Sequence, residues 1–260
     1  MKKFLVIGNP IEHSLSPKLH NYWIEKNNLK AFYEKRKLNE EDIKNIIQEI
    51  RNNNITGINV TVPFKKLIIP FVDELTDEAK QVQSVNTIYK KEDKIIGENT
   101  DARGFQEAIK MTNYTIKGKK IFILGAGGVT SSLIYSLINM GATNISLSNR
   151  TIEKTKYLKE MFPSIKIIQW GKETDFDMIL NATSLGLENE TIQMNYQKHK
   201  SKFFYDIIYN PPKTNFLKGG EKFKNKIENG KLMFIFQAQL AFKIWHGINP
   251  KIDKEVLDLI

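Results

Sequence analysis

Two groups of residues in this chain have the types and spacing for chemistry, and the clearer one is Gly125-Ala126-Gly127-Gly128. It follows the apolar run Ile121-Phe122-Ile123-Leu124 and precedes Val129 and a stretch in which Leu133, Leu137, Ile138 and Met140 recur near helical spacing. A strand that turns through glycines into a helix lets a phosphate approach the backbone. The helix N-terminus adds unpaired N–H groups and the positive end of a dipole, which suits a pyrophosphate. The next strand, Asn144 to Ser148, ends in Asn149-Arg150-Thr151, where an NAD site would carry an acid for the ribose hydroxyls. A guanidinium forks onto a 2′-phosphate that a carboxylate would repel, so Arg150 points to NADP, with Lys154 one helical turn on as a second cation. Thr130 occupies the third-glycine position and weakens the motif taken by itself; the strand before the glycines and the arginine after them strengthen it.

The second group is Asn59-Val60-Thr61-Val62-Pro63-Phe64-Lys65. From Ile58 to Val62 the sequence alternates, with Ile58, Val60 and Val62 on one face of an expected strand and Asn59 and Thr61 on the other. Pro63 stops the strand, so Lys65 lies just past a carboxyl end, where open α/β sheets bind ligands. Taken alone, Lys65 reads as a surface lysine in a chain this basic. His13, His20, His199 and His246 show no paired metal spacing and cysteine is absent, so no metal is expected.

The elements that must position these groups alternate in type. Phe4 to Gly8 reads as a strand, Ser16-Pro17 opens a helix with Leu19, Tyr22 and Trp23 on one face, and Phe32 to Leu38 reads as a strand. Asn39 can cap a helix whose stripe is Ile43, Ile46, Ile47 and Ile50. Thr87 to Tyr89 and Ile95 to Gly97 flank a hairpin at Lys91-Glu92-Asp93, and Asn99-Thr100-Asp101 leads into a helix near Arg103 to Met111. Strands are expected near Ser164 to Gln169, Asp177 to Ala182 and Phe203 to Ile208. The run Met233 to Trp245 is helical in length and can return the chain to the first domain. The order implies an α/β fold with mainly parallel sheets, divided as residues 1–101 plus 236–260 and residues 102–235.

Length fits two modest domains, since 260 residues exceed one average domain. With 41% hydrophobic residues ordinary cores can form, and no apolar run approaches the roughly 20 residues that span a bilayer. No targeting segment is recognisable, and the absence of cysteine makes a reducing cytoplasm the default. The 39 Lys+Arg against 29 Asp+Glu give a net charge of +10. These lysines are scattered, without a basic tail or aromatic interleaving, so neither nucleic acid nor membrane is expected as a partner. Anionic small ligands benefit from such a field.

Gly8-Asn9-Pro10 with Ser14-Leu15-Ser16-Pro17, Asn59 to Lys65, Ser84-Val85-Asn86-Thr87, Asn99-Thr100-Asp101, Gly125 to Gly128, Asn149-Arg150-Thr151 and Asn181-Ala182-Thr183-Ser184, extended by Tyr209-Asn210-Pro211 and Gln237, stand in one order along nearly the whole chain. In this the chain resembles the shikimate dehydrogenases. The resemblance implies an N-terminal substrate-binding domain, a Rossmann-like NADP-binding domain, and reversible reduction of 3-dehydroshikimate to shikimate by NADPH in aromatic amino-acid biosynthesis. It makes Lys65 and Asp101 the catalytic pair and Ser14, Ser16 and Tyr209 the anchors of the substrate carboxylate. Asn59, Thr61, Asn86 and Gln237 become contacts to the ring hydroxyls. By themselves Ser14 reads as a helix-entry cap and Asn86 as a hairpin-start residue. For the cofactor it implies Gly125, Ala126, Gly127, Gly128, Val129, Asn149, Arg150, Thr151, Lys154, Thr183, Ser184, Gly230 and Met233.

Leu232 departs from the second glycine that many family members carry in Asn229-Gly230-Lys231-Leu232-Met233, which places a difference at the nicotinamide end. Val129 to Ser132 lacks the basic residue often found after the glycines, which shifts the phosphate grip towards Arg150 and Lys154. Two rivals stand beside this expectation: a quinate/shikimate dehydrogenase using NAD, disfavoured by Arg150, and a non-catalytic nucleotide-binding paralogue, disfavoured by Lys65 with Asp101. A monomer or a homodimer is expected.

Overall fold

The computed structural model describes residues 1–188 and 190–260, and the chain divides into two compact units, Met1–Gly104 with Ile235–Ile260 and Phe105–Phe234. The first unit opens with β1 (Lys2–Gly8), α1 (Ser16–Lys26), β2 (Ala31–Lys37), α2 (Ile43–Arg51) and β3 (Gly57–Val60). There follow α3 (Phe64–Leu67), β4 (Glu74–Leu75), α4 (Asp77–Val82), the hairpin β5 (Thr87–Lys91) and β6 (Lys94–Glu98), and then α5 (Asp101–Met111), which belongs to the second unit from Phe105 on. The second unit holds β7 (Lys120–Leu124), α6 (Thr130–Asn139), β8 (Asn144–Ser148), α7 (Ile152–Met161), β9 (Lys166–Ile167), β10 (Met178–Asn181), β11 (Phe203–Asp206), α8 (Asn215–Lys222) and β12 (Lys226–Glu228). Helix α9 (Lys231–His246) then carries the chain back into the first unit, which α10 (Lys254–Leu259) completes.

The first sheet has the order β2-β1-β3-β5-β6-β4. Strands β1, β2 and β3 pair in parallel, and β5 runs antiparallel to both of its neighbours. Period-two alternation gives β1 two packing faces. Leu5 and Ile7 join Ile58, Val60, Ile88 and the buried α2 stripe Ile43, Ile46, Ile47 and Ile50. Phe4, next to Leu5 and so on the other face, packs on Trp245 of α9 at 4.9 Å between ring centroids. Asn39 forms a capping box with Asp42 before α2, as its sequence position suggests.

Three expectations about packing change. Strand β3 stops at Val60 and Val62 is 56% exposed, because the Thr61 carbonyl accepts the Phe64 N–H and turns the chain into α3. Tyr22 lies off the buried face of α1 and instead donates its hydroxyl to Glu255, at 2.6 Å. On α6 the buried residues are Leu133, Ile134 and Leu137 together with Thr130, Ser131, Ser132 and Ser136, whereas Ile138 is exposed.

The second sheet, in the order β12-β11-β10-β7-β8-β9, is parallel throughout. This is the doubly wound order, whose chain reversal falls between β7 and β10. Strand β12 falls where the sequence led to no expected strand, and β9 is two residues long. Among the described residues no helix is long and apolar enough to cross a membrane.

Candidate active site

In the first unit, the carboxyl end of β3 and the start of α5 bring together the two ionisable groups singled out in the sequence. Lys65 Nζ lies 2.6 Å from Asp101 Oδ2, with the two side chains only 11% and 7% exposed. A pair so withdrawn from water holds its geometry by excluding competing partners, and removing either member leaves the other an uncompensated charge. Lys65 is set by the turn at Pro63, and its carbonyl accepts the Val85 N–H at 2.8 Å. Asp101 is the first residue of α5, where the helix dipole favours a carboxylate.

Asn86 extends the pair into a network. Its Nδ2 donates to Asp101 Oδ1 at 2.9 Å, to Thr100 Oγ1 at 2.9 Å and, more distantly, to Gln237 Oε1 at 3.4 Å. Its Oδ1 accepts the Thr100 N–H at 2.8 Å. Asn59, 6% exposed, donates through Nδ2 to the Asn86 carbonyl and to Thr87 Oγ1, each at 3.0 Å, and accepts the Tyr33 hydroxyl at 2.7 Å. Asn59 thus has its donors committed inside the protein, and only a lone pair of Oδ1 remains. Thr61 is half-buried, with its methyl against Gly8, where an added Cβ would come within 2.5 Å. Ser14 accepts the Ser16 N–H at 3.3 Å, and Ser16 is buried at the start of α1. The network residues Tyr33, Thr87 and Thr100 were not singled out from the sequence; Thr87 and Thr100 sit inside quoted motifs, whereas nothing local marks Tyr33.

In the second unit the glycine turn lies at the carboxyl end of β7, beside the loop that leaves β10. Gly125 adopts φ +106°, and a Cβ there would come within 2.6 Å of the Ala182 carbonyl, so the two loops touch through bare backbone. At Gly127 a Cβ would meet only that carbonyl, at 3.8 Å, leaving open space over the turn before α6. Thr130 Oγ1 donates to the Gly125 carbonyl at 3.1 Å, giving the residue in the third-glycine position a loop-closing role. The Ala126 N–H donates to Asn149 Oδ1 at 3.1 Å, and Asn149 Nδ2 donates to the Thr151 carbonyl at 2.9 Å. Asn149 therefore ties the glycine turn to the end of β8. Arg150, Thr151 and Lys154 are exposed there, and among the described residues neither cation has an ion-pair partner. An open turn over a helix start, flanked by unpaired cations, fits a phosphorylated dinucleotide.

Thr183 donates its N–H and hydroxyl to Asn181 Oδ1, at 3.0 and 2.7 Å, while Ser184 is exposed. Asn181 Nδ2 also donates to Asp206 Oδ1 at 3.0 Å, and Thr214 donates to Asp206 Oδ2 at 2.6 Å. Burial pushes the Asp206 carboxyl up to about 6, against these hydrogen bonds. Tyr209 belongs to this unit and stacks on Phe234 with ring centroids 4.5 Å apart. Gly230 has a packing reason, since a Cβ would come within 1.9 Å of the Ile207 carbonyl. Leu232 is half-buried in the first turn of α9, and Met233 is buried beside it.

Among the described residues no cluster of His, Cys, Asp and Glu could hold a metal. Comparison with known proteins finds two family models, the shikimate dehydrogenase substrate binding domain over residues 6–88 and shikimate / quinate 5-dehydrogenase over residues 106–213. The shikimate dehydrogenase (NADP(+)) of Pelagibacter ubique is 58% identical over 100% of this chain and 98% of its own length. The crystal structure of shikimate dehydrogenase from Aquifex aeolicus is 36% identical with a TM-score of 0.91, covering 99% of this chain and 96% of that one. Shikimate 5-dehydrogenase from Thermus thermophilus, solved in complex with NADP(H) and shikimate, is 29% identical with a TM-score of 0.90 and full coverage of both chains. With both units matched by family models and the whole length aligned to the Pelagibacter ubique enzyme, this chain belongs to the shikimate dehydrogenase family.

Proposed function

We propose that this protein catalyses the reversible, NADPH-dependent reduction of 3-dehydroshikimate to shikimate in the pathway to chorismate and the aromatic amino acids. The observation that carries the reading is the buried Lys65–Asp101 pair, joined by Asn86 to the amide of Gln237. When bound, NADPH supplies the hydride that reduces the ketone carbon. Lys65 meets the negative charge that develops on the ketone oxygen, first by its charge and then by donating a proton from Nζ. Asp101 holds that ammonium through Oδ2 and accepts a ring hydroxyl. Asn86, Gln237 and Thr61 orient the remaining hydroxyls, with Asn59 bracing Asn86. Ser14, Ser16 and Tyr209 hold the carboxylate by neutral hydroxyl donors, which fix orientation as well as charge.

On the cofactor side, Gly125, Ala126, Gly127, Gly128 and Val129 form the pyrophosphate turn, and Asn149 with Thr151 sets its edge. Arg150 and Lys154 take the 2′-phosphate, and Thr183, Ser184, Gly230 and Met233 flank the nicotinamide end. The first unit is then the substrate-binding domain and the second the NADP-binding domain. The cysteine-free sequence agrees with a reducing compartment, and we place the reaction in the cytoplasm.

Absorbance at the NADPH band, with shikimate or quinate and either oxidised cofactor, tests the proposal. Shikimate with NADP should give the fastest turnover; strong quinate turnover with NAD would overturn it.

A further inference from the structure

Tyr33 lies in β2, is 2% exposed, and is fixed at three levels. Its main chain is held by the Asn21 side chain of α1: Asn21 Nδ2 donates to the Tyr33 carbonyl at 2.8 Å, and the Tyr33 N–H donates to Asn21 Oδ1 at 2.9 Å. An amide thus stands where a further strand would, at the edge of the sheet. Its ring stacks on His20 with centroids 4.2 Å apart and planes 3° apart. Burial lowers the His20 imidazole to about 3, and neither ring nitrogen has a hydrogen-bond partner among the described residues, so His20 serves as a neutral plate.

The hydroxyl is the only polar part of this side chain, and it reaches directly into the site. It donates to Asn59 Oδ1 at 2.7 Å. Asn59 in turn braces the Asn86 carbonyl and Thr87, and Asn86 holds Asp101. One phenol therefore ties β2, clamped to α1 through Asn21, to the network that ends at the ion pair. Without it, buried Asn59 Oδ1 loses its donor.

We infer that Tyr33 is a positioning residue for the substrate, its hydroxyl holding the Asn59 amide in fixed register so that Asn86, Asp101 and the ring hydroxyls meet in one geometry. The inference rests on the proposed reaction and names a residue outside the set assigned to it. Tyr33→Phe keeps the ring stack and the main-chain clamp and removes one oxygen. In the full-length protein it should raise the shikimate KM about tenfold, with a smaller fall in kcat and an unchanged NADP KM.

A double-mutant cycle supplies the second measurement. In an Asn59→Ala background the further loss from Tyr33→Phe should shrink to about threefold or less, because the two act through one contact. Wild-type protein that turns over shikimate, with a Tyr33→Phe variant whose shikimate KM is unchanged, overturns the inference and leaves the reaction standing. Equal rises in both KM values with a large drop in thermal midpoint overturn it in favour of a purely structural tyrosine. Wild-type protein that does not oxidise shikimate with NADP overturns the reaction and the inference with it.

Discussion

Lys65 is ion-paired with Asp101, and both side chains are largely withdrawn from water. Its strongest interaction in the proposed reaction forms as the oxygen becomes an alkoxide. Lys65→Ala should therefore lower kcat by about 100-fold or more while shikimate binding weakens far less. Steady-state kinetics with a separate binding titration checks this, and near-normal turnover would remove Lys65 from the mechanism. At the cofactor side, Arg150 stands without an ion-pair partner among the described residues. Arg150→Ala should weaken NADP by about 10- to 100-fold and leave NAD almost unchanged, since only NADP carries the 2′-phosphate. Equal losses for both cofactors would contradict the fork. Residue type suggested the role of Arg150, and the family resemblance supplied the Lys65–Asp101 pair; neither revealed that Asn59 and Asn149 spend their amides on neighbouring protein groups, because a side chain's partners depend on strands distant in sequence.

Element packing places Gln237, and one glycine governs that packing. A Cβ on Gly57 would come within 2.4 Å of Trp245 Nε1, which donates to the Ile88 carbonyl at 3.2 Å. Helix α9 thus lies directly on the backbone of β3 and β5. Gly57→Ala should destabilise the protein by about 1–3 kcal/mol and raise the shikimate KM by shifting Gln237, as read by urea unfolding and kinetics. An unchanged unfolding midpoint would show that the helix gives way freely. Strong periodicity made α2, β1 and the hairpin legible in the sequence, and the glycine turn announced β7 and α6. Strand β12 was missed because Lys226-Ile227-Glu228 is short and carries one apolar residue, and its pairing with β11 supplies what its own pattern lacks. Val62 was placed in β3 because alternation continues in the sequence after the hydrogen bonds have stopped.

At the scale of the molecule, one buried group in each unit responds to acid, and the two do so in opposite directions. Asp206, in the second, is raised by burial from 3.8 to about 6, so between those values the folded chain holds a proton that the unfolded chain has released. Its stabilising contribution is complete below about pH 4 and is lost as pH rises through about 6, a change of about 3 kcal/mol. His20, in the first, is lowered from 6.5 to about 3, so its contribution is complete above pH 6.5 and is lost as pH falls through that range. Asp206→Asn removes only the first effect. The variant should gain stability relative to wild type as pH rises from 4 to 6, measured by urea unfolding, and parallel curves would refute the assignment. The family and the broad α/β plan were legible because motifs are local, whereas these buried protonation states exist only after distant segments close around them. The return of α9 and α10 to the first unit has one more consequence, in time. On the ribosome the first 104 residues emerge without the helix that covers Phe4 and Gly57, and that helix follows only after residues 105–234 have been made, on the order of ten seconds later. The second unit is a continuous segment and can close while the first still waits, so a nascent chain is exposed to holdase chaperones and proteases chiefly through its N-terminal sheet.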